Sequence, residues 1–446
     1  MEEFAAALEA RFADAGDFVR RVVPTPGGTV RCYWIDGLVN GEDLSAFVLR
    51  PLSRGGEICS AVTTPVPDPV TGAKQLLSGF CLVLGQEGAL CCEVRSSVKR
   101  TPAPPEVEST VKGAKDAFTE TLRINSGLVR SHLRSLDLRL EERSVGSVCP
   151  VQVSVLSLAG RCDETQRARV LQRLETLQVE SLASPAAVEE ALSGSRRTAF
   201  PLLRYTERTD KFCQSLLDGR IGVLVDGQPL GYTLPVDLAT LMCSPEDLGM
   251  DYLAASLVRM LRYLALAAAL LLPGAFVAMM VFQPEMIPTK LLESIIESKQ
   301  GVPFPATLEV LGLLIAFELL QEAGLHLPKA IGQTISIIGG LVVGTAAVEA
   351  RILSPAALIV VSAAGICGFC LPSQDLADAV RVWRLGLCLC AAAGGLFGLT
   401  AGALALLIHL AGLESLGKPY LAPFCRAETG QALIRPLLDR SHRELP

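Results

Sequence analysis

Four runs without a charged residue follow Arg262. They hold 22 residues up to Glu285, 19 between Lys329 and Glu349, 23 between Arg351 and Asp375, and 29 between Arg384 and Glu414. A helix rising 1.5 Å per residue needs about 20 apolar residues to cross ~30 Å of hydrocarbon. Each run is long enough, and four of them so close together argue against buried helices of a soluble protein. The pattern predicts a membrane domain over 259–413 with four spans. A further apolar stretch, 305–320, holds Glu309 and Glu318. An ionised carboxylate at mid-bilayer costs roughly 2.5–3.5 kcal/mol, so both need to face protein, water or a partner. Nine residues apart, they project from opposite sides of a helix. We read this stretch as a non-spanning amphipathic helix at the interface. The tail, 414–446, carries Lys418, Arg426, Arg435, Arg440 and Arg443. The positive-inside rule places it in the cytoplasm after an even number of spans.

Before Arg262 the pattern changes. Short β-rich runs occupy 32–36, 80–85, 89–95, 136–141, 148–157 and 220–225, with Gly85-Gln-Glu-Gly88 as a hairpin loop between two of them. Helical periodicity covers 106–134, 163–177, 185–194 and 207–218. Asp163 and Ser184 are helix-start residues, the second followed by Pro185 at the first helical position. Ser60–Gly72, with three prolines, reads as a loop. The fold class is therefore an α/β or α+β soluble N-terminal half followed by an α-helical multi-span membrane half. We divide the soluble half into a subdomain over 1–200 and a second over 201–258 that leads into the membrane. No internal repeat is visible.

Charge follows the same division. Residues 1–258 hold 33 of the 46 acids and 27 of the 40 bases. A formal net charge of −6 argues against a nucleic-acid partner. The start, Met1-Glu-Glu-Phe, has no basic segment before an apolar core, so we expect no cleaved signal peptide and a cytoplasmic N-terminal half. No phosphate-binding glycine loop, zinc motif or nucleophile constellation stands out, and four scattered histidines do not form one. We expect no enzyme activity and no cofactor. Cys367-Gly-Phe-Cys370 and Cys388-Leu-Cys390 lie in uncharged runs, where free cysteine serves as a small apolar packing residue.

Within the second run, Gln333, Ser336, Gly340, Gly344 and Ala347 follow helical spacing along one face opposite Ile, Leu and Val. Such a small, polar stripe serves either close helix–helix packing or the wall of a water-filled pathway in an oligomer. Thr206 and Asp210 lie where they could cap a helix. Asp378 and Arg381, three apart, can pair on a solvated face.

Several blocks resemble one family in order along the chain. They are Trp34-Ile-Asp-Gly-Leu-Val39, Glu108 through Arg130, Tyr205-Thr-Glu-Arg-Thr-Asp210 and Gly219-Arg-Ile-Gly-Val-Leu-Val-Asp-Gly227. In the apolar half they are Gln283-Pro-Glu-Met-Ile-Pro-Thr289, Ile331-Gly-Gln-Thr-Ile-Ser, Ser354-Pro355, Leu407-Ile-His-Leu-Ala411 and Gly417-Lys-Pro-Tyr-Leu-Ala-Pro423. The chain resembles the A subunits of GerA-type spore germination proteins, a family that includes the stage V sporulation AF-type protein. Gln283 stands where the family usually has histidine. The resemblance implies a subunit of a germinant receptor in the inner membrane of a bacterial spore. It implies a transporter-like B subunit and a lipoprotein C subunit as partners, contact with membrane lipid, and a homo-oligomer that releases cations when a nutrient binds. It turns the Gln333–Ala347 stripe toward the pore-wall reading. Two other roles stay open: a stage V AF-type paralogue that amplifies germination without sensing nutrients, and a secondary transporter.

Overall fold

In the computed structural model, residues 1–26, 28–60, 62–85, 88–95, 108, 116–182, 184–194, 198–326, 344–422 and 424 are described. The chain forms two compact units. The first comprises Met1–Arg196, Leu202–Val236 and Ser415–Lys418, the second Arg197–Pro201, Asp237–Glu414 and Pro419–Pro446.

The first unit holds two five-stranded antiparallel sheets. Strands β1 (Phe18–Thr25), β2 (Gly28–Ile35), β3 (Thr63–Pro65), β4 (Phe80–Leu84) and β5 (Ala89–Glu93) are ordered β1-β2-β4-β5-β3. Strands β6 (Leu138–Val145), β7 (Val151–Leu158), β8 (Arg204–Thr206), β9 (Ile221–Val225) and β10 (Gly231–Leu234) are ordered β6-β7-β9-β10-β8. The two orders are the same, offset by five strands. Helices repeat the correspondence. Helix α1 (Glu2–Arg11) precedes the first hairpin and packs with α2 (Pro69–Leu76), which precedes β4. In the second lobe, α3 (Leu122–His132) precedes the hairpin, α4 (Glu164–Thr176) and α5 (Pro185–Ser193) follow it, and α6 (Thr209–Leu217) precedes β9 and packs with α3. The unit is thus α+β, one topology built twice.

One turn carries the duplication into the sequence. Leu76-Leu-Ser-Gly79 and Leu216-Leu-Asp-Gly219 each end a helix, and each glycine donates its N–H to the first leucine's carbonyl at 3.0 Å. Both glycines have positive φ, +83° and +80°, which a side chain disfavours. A Cβ on either would press on a carbonyl oxygen, that of Leu38 or of Arg161. Each of those residues lies three positions past the end of its lobe's second strand. Each lobe buries apolar side chains on its sheet, such as Tyr33, Ile35, Leu76 and Leu82 in the first and Val153, Val155, Val223 and Val225 in the second.

The structure corrects the expected boundaries. Strands β8, β9 and β10 complete the sheet begun by β6 and β7, so Leu202–Val236 belongs with the strands before it and not to a separate subdomain; the change of lobe lies between β5 and α3. The absence of a repeat is corrected too. The expected loop 60–72 contains β3 and the start of α2, whose Asp68 caps Val70 and Thr71 N–H groups. Predicted caps Asp163 and Ser184 accept from Thr165 and Ala187 N–H groups.

The second unit is helical: α7 (Tyr252–Val281), α8 (Thr289–Lys299), α9 (Ala306–His326), α10 (Gly344–Glu349), α11 (Pro355–Phe369) and α12 (Gln374–Gly412). Pro284, Pro288, Pro303 and Pro305 fall in the connectors on either side of α8, as helix breakers should. Helix α7 begins at Tyr252, earlier than the expected 259, and Arg259 and Arg262 within it both pair with Asp247. Among the described residues two helices are long and apolar enough to cross a membrane, α7 and α12, against the four runs expected. The run 330–348 lies mostly outside the described residues, and 352–374 contributes the 15-residue α11.

Helix α12 is not one rod. Gly394 and Gly395 leave helical geometry (φ −136° and +60°), and the arms on either side fold back antiparallel. Trp383 and His409, 26 positions apart, meet at 5.6 Å between ring centroids; a straight helix would separate them by about 39 Å. A Cβ on Gly402 would lie 3.0 Å from Leu387 Cδ2 and 3.3 Å from Cys390 Cβ. The 29-residue run expected to span once therefore contains a reversal. The polar stretch Gln374–Arg384 is the start of the first arm.

Candidate functional site

Charge within the apolar helices is paired, and the pairs join helices far apart in sequence. Glu309 on α9 is 1% exposed. Its Oε2 accepts from the Ser354 N–H at 3.0 Å and the Ser354 hydroxyl at 2.6 Å, while Lys299 Nζ of α8 lies 2.9 Å from Oε1. Ser354 caps α11, accepting from the Ala357 N–H at 3.4 Å, so the carboxylate also faces a positive helix end. Glu318, on the other side of α9, pairs with Arg384 Nη2 and lies 3.7 Å from Arg381 Nε in the first arm of α12. Arg381 also holds Asp378 at 3.0 Å. Arg384 is 3% exposed and Glu318 holds it on the inside, while the Asp378 side chain is 54% exposed, so the expected Asp378–Arg381 pair stands at the solvated edge of this group.

The α12 hairpin supplies the second feature. Gly274 of α7 approaches both arms: a Cβ there would lie 2.9 Å from Leu399 Cδ1 and 3.5 Å from Ala391 Cβ. At the tip, Gln283 Oε1 accepts from the Leu396 N–H at 3.4 Å, and Phe282 packs against Gly395. The first N–H groups of the second arm have no helical partner of their own, so Gln283 answers one of them. At the open end Phe200, Trp383, His409 and Tyr420 cluster, and Thr198 Oγ1 is 3.0 Å from His409 Nε2. Cys390 packs against Gly402, and Cys388 is buried in the apolar cluster with Val310 and Leu314.

Of the stripe, Gly344 and Ala347 lie on α10, Gly344 buried with Leu358 next to it. Gln333, Ser336 and Gly340 lie outside the described residues. Helix α10 ends at Glu349, five residues before Ser354.

In the first unit, the blocks Glu108–Arg130 and Tyr205–Asp210 meet as a polar cluster at the start of α6, where Asp210 Oδ1 accepts from the Lys211 N–H at 2.7 Å and Thr206 Oγ1 from the Arg208 N–H at 3.1 Å. Thr209 Oγ1 donates to Asp116 Oδ2 at 2.6 Å, and His132 Nε2 lies 2.5 Å from the same oxygen. The hydrogen bond from His132 draws the Asp116 carboxyl down to about 2, and Asp116 in turn raises the His132 imidazole above its ordinary value. Arg208, 2% exposed, holds Asp210, while Lys211 and Thr206 both bond Glu108. Burial pushes the Lys211 ammonium down to about 8, with Arg204 adding repulsion and Glu108 opposing it. Among the described residues no group of three or more His, Cys, Asp or Glu side chains is placed to hold a metal ion.

These residues sit in blocks shared with known proteins. The model of the Bacillus/Clostridium GerA spore germination protein matches residues 6–444. The chain belongs to the GerA family. Its GerA relatives include the spore germination protein KA of Bacillus subtilis, 35% identical over 90% of this chain and 77% of that protein. Spore germination protein B1 of the same organism is 32% identical over 90% of this chain and 86% of its own length. The uncharacterized membrane protein YfkQ of Bacillus subtilis is 36% identical over 90% of this chain and 82% of its length. A crystal structure of the N-terminal domain of the A subunit of the Bacillus megaterium spore germinant receptor GerK3 aligns with a TM-score of 0.40 at 22% identity. It covers 52% of this chain and 93% of that domain. Within the GerA chain, then, Glu309 and Glu318 were foreseeable as groups needing partners. Arg384, Ser354 and Lys299 were not, since 66, 45 and 10 positions separate them from those carboxylates.

Proposed function

We propose that this GerA chain is the A-type subunit of a germinant receptor in the inner membrane of a bacterial spore. On this reading it works with a transporter-like B subunit and a lipoprotein C subunit, as a homo-oligomer that passes monovalent cations when a nutrient binds. The stripe Gln333, Ser336, Gly340, Gly344 and Ala347 lines the cation path, and the N-terminal unit, on the cytoplasmic side, couples partner state to the membrane helices.

The observation that supports the pore wall most is the bond between Glu309 and Ser354. It fixes the start of α11 only five residues beyond the helix that carries Gly344 and Ala347. A displacement of α8 or α9 would pull on Glu309, through it on Ser354, and so on the end of the stripe.

The test is potassium release from spores carrying this gene as their sole A-type subunit together with its B and C partners. Gly344→Phe is expected to alter nutrient-triggered potassium release strongly, with the complex still present in the membrane. Unchanged release at unchanged protein level would sink the assignment.

A further inference from the structure

Ser415 is 2% exposed and ties together distant parts of the first unit. Its hydroxyl donates to the Leu202 carbonyl at 2.7 Å and accepts from the Val236 N–H at 3.1 Å. Leu202 and Val236 are the two ends of the stretch that carries β8, β9 and β10. The next residue, Leu416, is 5% exposed and belongs to the core of the second lobe. Its carbonyl accepts from Arg169 Nη1 of α4 at 3.1 Å.

These residues form the tip of a small hairpin, β11 (Glu414–Ser415) paired with β12 (Lys418–Pro419). The turn, Leu416-Gly417, has positive φ at both positions, +49° and +82°. Two-residue turns of that kind favour Asn-Gly, and a bulky side chain is strained there. Such strain persists only where the surroundings over-determine it. What holds Leu416 in place is its buried side chain and the bond from Arg169, so the leucine serves the core and not the turn.

The hairpin follows α12 with little slack. The helix ends at Gly412, and Ser415 is three chain steps later, a reach of about 11 Å at full extension. At the base of the hairpin the Tyr420 N–H donates to the carbonyl of Leu413, the C-cap of α12, at 2.9 Å. A pull on the tip therefore arrives at the end of the second arm. The link from Val236 to the start of α7, 237–251, is 15 residues long.

We propose that the Glu414–Pro419 hairpin is a strap: Leu416 is the plug that seats it in the second lobe, and movement of that lobe passes through it to the second arm of α12. The proposal rests on the coupling role suggested above for the N-terminal unit and names the element that carries it.

The test uses spores carrying this gene as their sole A-type subunit with its B and C partners. An insertion of Gly-Ser-Gly-Ser between Leu413 and Glu414 adds slack and leaves the plug residues unchanged. The rate of nutrient-triggered potassium release is expected to fall about tenfold or more, with the protein at its wild-type level in the membrane. The same insertion between Met250 and Asp251, in the longer link, is expected to change the rate by less than about twofold. Leu416→Ala is expected to slow release as the first insertion does. In the purified full chain it is also expected to speed amide exchange about tenfold in the peptide that holds Val236, while peptides of β6 and β7 keep their protection. Wild-type release from the Leu413/Glu414 insertion, or an equal loss from the Met250/Asp251 insertion, overturns the strap and leaves the channel reading standing. Unchanged exchange at Val236 in Leu416→Ala overturns the plug and needs no assembled receptor to be seen. A wild type that releases no potassium overturns the channel reading and the strap with it.

Discussion

The carboxylate of Asp17 takes both Nε and Nη2 of Arg130 at 2.7 Å, and both side chains are almost fully buried. The pair joins the two lobes of the N-terminal unit, since Asp17 precedes β1 and Arg130 lies on α3. Beside it, Gly37 and Gly127 approach so closely that a Cβ on Gly127 would lie 2.6 Å from the Gly37 carbonyl oxygen. Truncating one partner of such a pair leaves an unpaired buried charge and costs about 3–5 kcal/mol. Arg130→Ala should therefore loosen the junction. Amide hydrogen exchange in peptides from β1 and α3 of the full chain should accelerate about a hundredfold or more, with a smaller change in the Asp17→Leu, Arg130→Met double variant. Unchanged protection in Arg130→Ala would show that the glycine contact alone holds the lobes.

A pH dependence follows from the His132–Asp116 pair. Asp116 has its carboxyl lowered to about 2, so its stabilising share is present above its unfolded value of about 3.9. That share is lost as pH falls toward 2. The His132 imidazole is raised, so its share is complete below about 6.5 and lost as pH rises through the raised value. The pair is thus strongest between about pH 4 and 6.5 and contributes on the order of 1 kcal/mol, because both groups are partly solvated. His132→Gln should lower the melting temperature of the N-terminal unit at pH 5 and make little difference at pH 9. An equal deficit at both pH values would mean that the imidazole acts by packing alone.

Glu309 offers a graded test of the helical unit. Glu309→Ala removes the acceptor of the Ser354 N–H and hydroxyl and leaves Lys299 without its carboxylate. A loss of about 3–5 kcal/mol is expected, read as a large drop in the temperature at which the detergent-solubilised chain aggregates. Glu309→Gln keeps an amide oxygen for Ser354 and should lose clearly less. If the two variants behave alike, the serine bonds are immaterial and only the charge matters.

What could be read in the sequence was what lies within a few residues. Val151–Leu158 and Ile221–Val225 announce strands by alternation and β-branching, and Ser184-Pro185 announces a helix by its cap. The repeated topology was hidden because only the Leu-Leu-x-Gly turn survives in both lobes, while the strands around it need only apolar inward positions. The polar groups were legible as problems and not as solutions: two carboxylates in an apolar stretch demand partners, but spacing cannot say that one finds Ser354 and the other Arg384. The reversal in α12 was invisible for a related reason. Gly394-Gly395 adds no charge to its run, so a turn and a continuous span look the same to hydropathy.

That reversal gives the sharpest prediction. In the folded-back arms a Cβ at position 402 lies 3.3 Å from both Cβ and Sγ of Cys390. Disulfides join Cβ atoms about 3.5–4.5 Å apart, so a small relaxation suffices to form one. In a continuous helix the same two positions would be separated by about 18 Å along the axis, and no bond could form. Gly402→Cys should therefore oxidise readily to an intramolecular disulfide with Cys390, seen by mass spectrometry as a crosslinked pair of peptides and a loss of two hydrogens. Gly398→Ala in the same background should abolish the link, because its methyl would overlap the backbone carbonyl of Cys390, which cannot swing aside. Gly394→Ala should leave the link intact, since its φ of −136° suits any residue and nothing lies within 4 Å of the added carbon. Free thiols at both positions under oxidation, in a chain that otherwise keeps its fold, would mean that Gln374–Gly412 is a single rod; the same outcome confined to Gly398→Ala would confirm that the arms meet through their glycines.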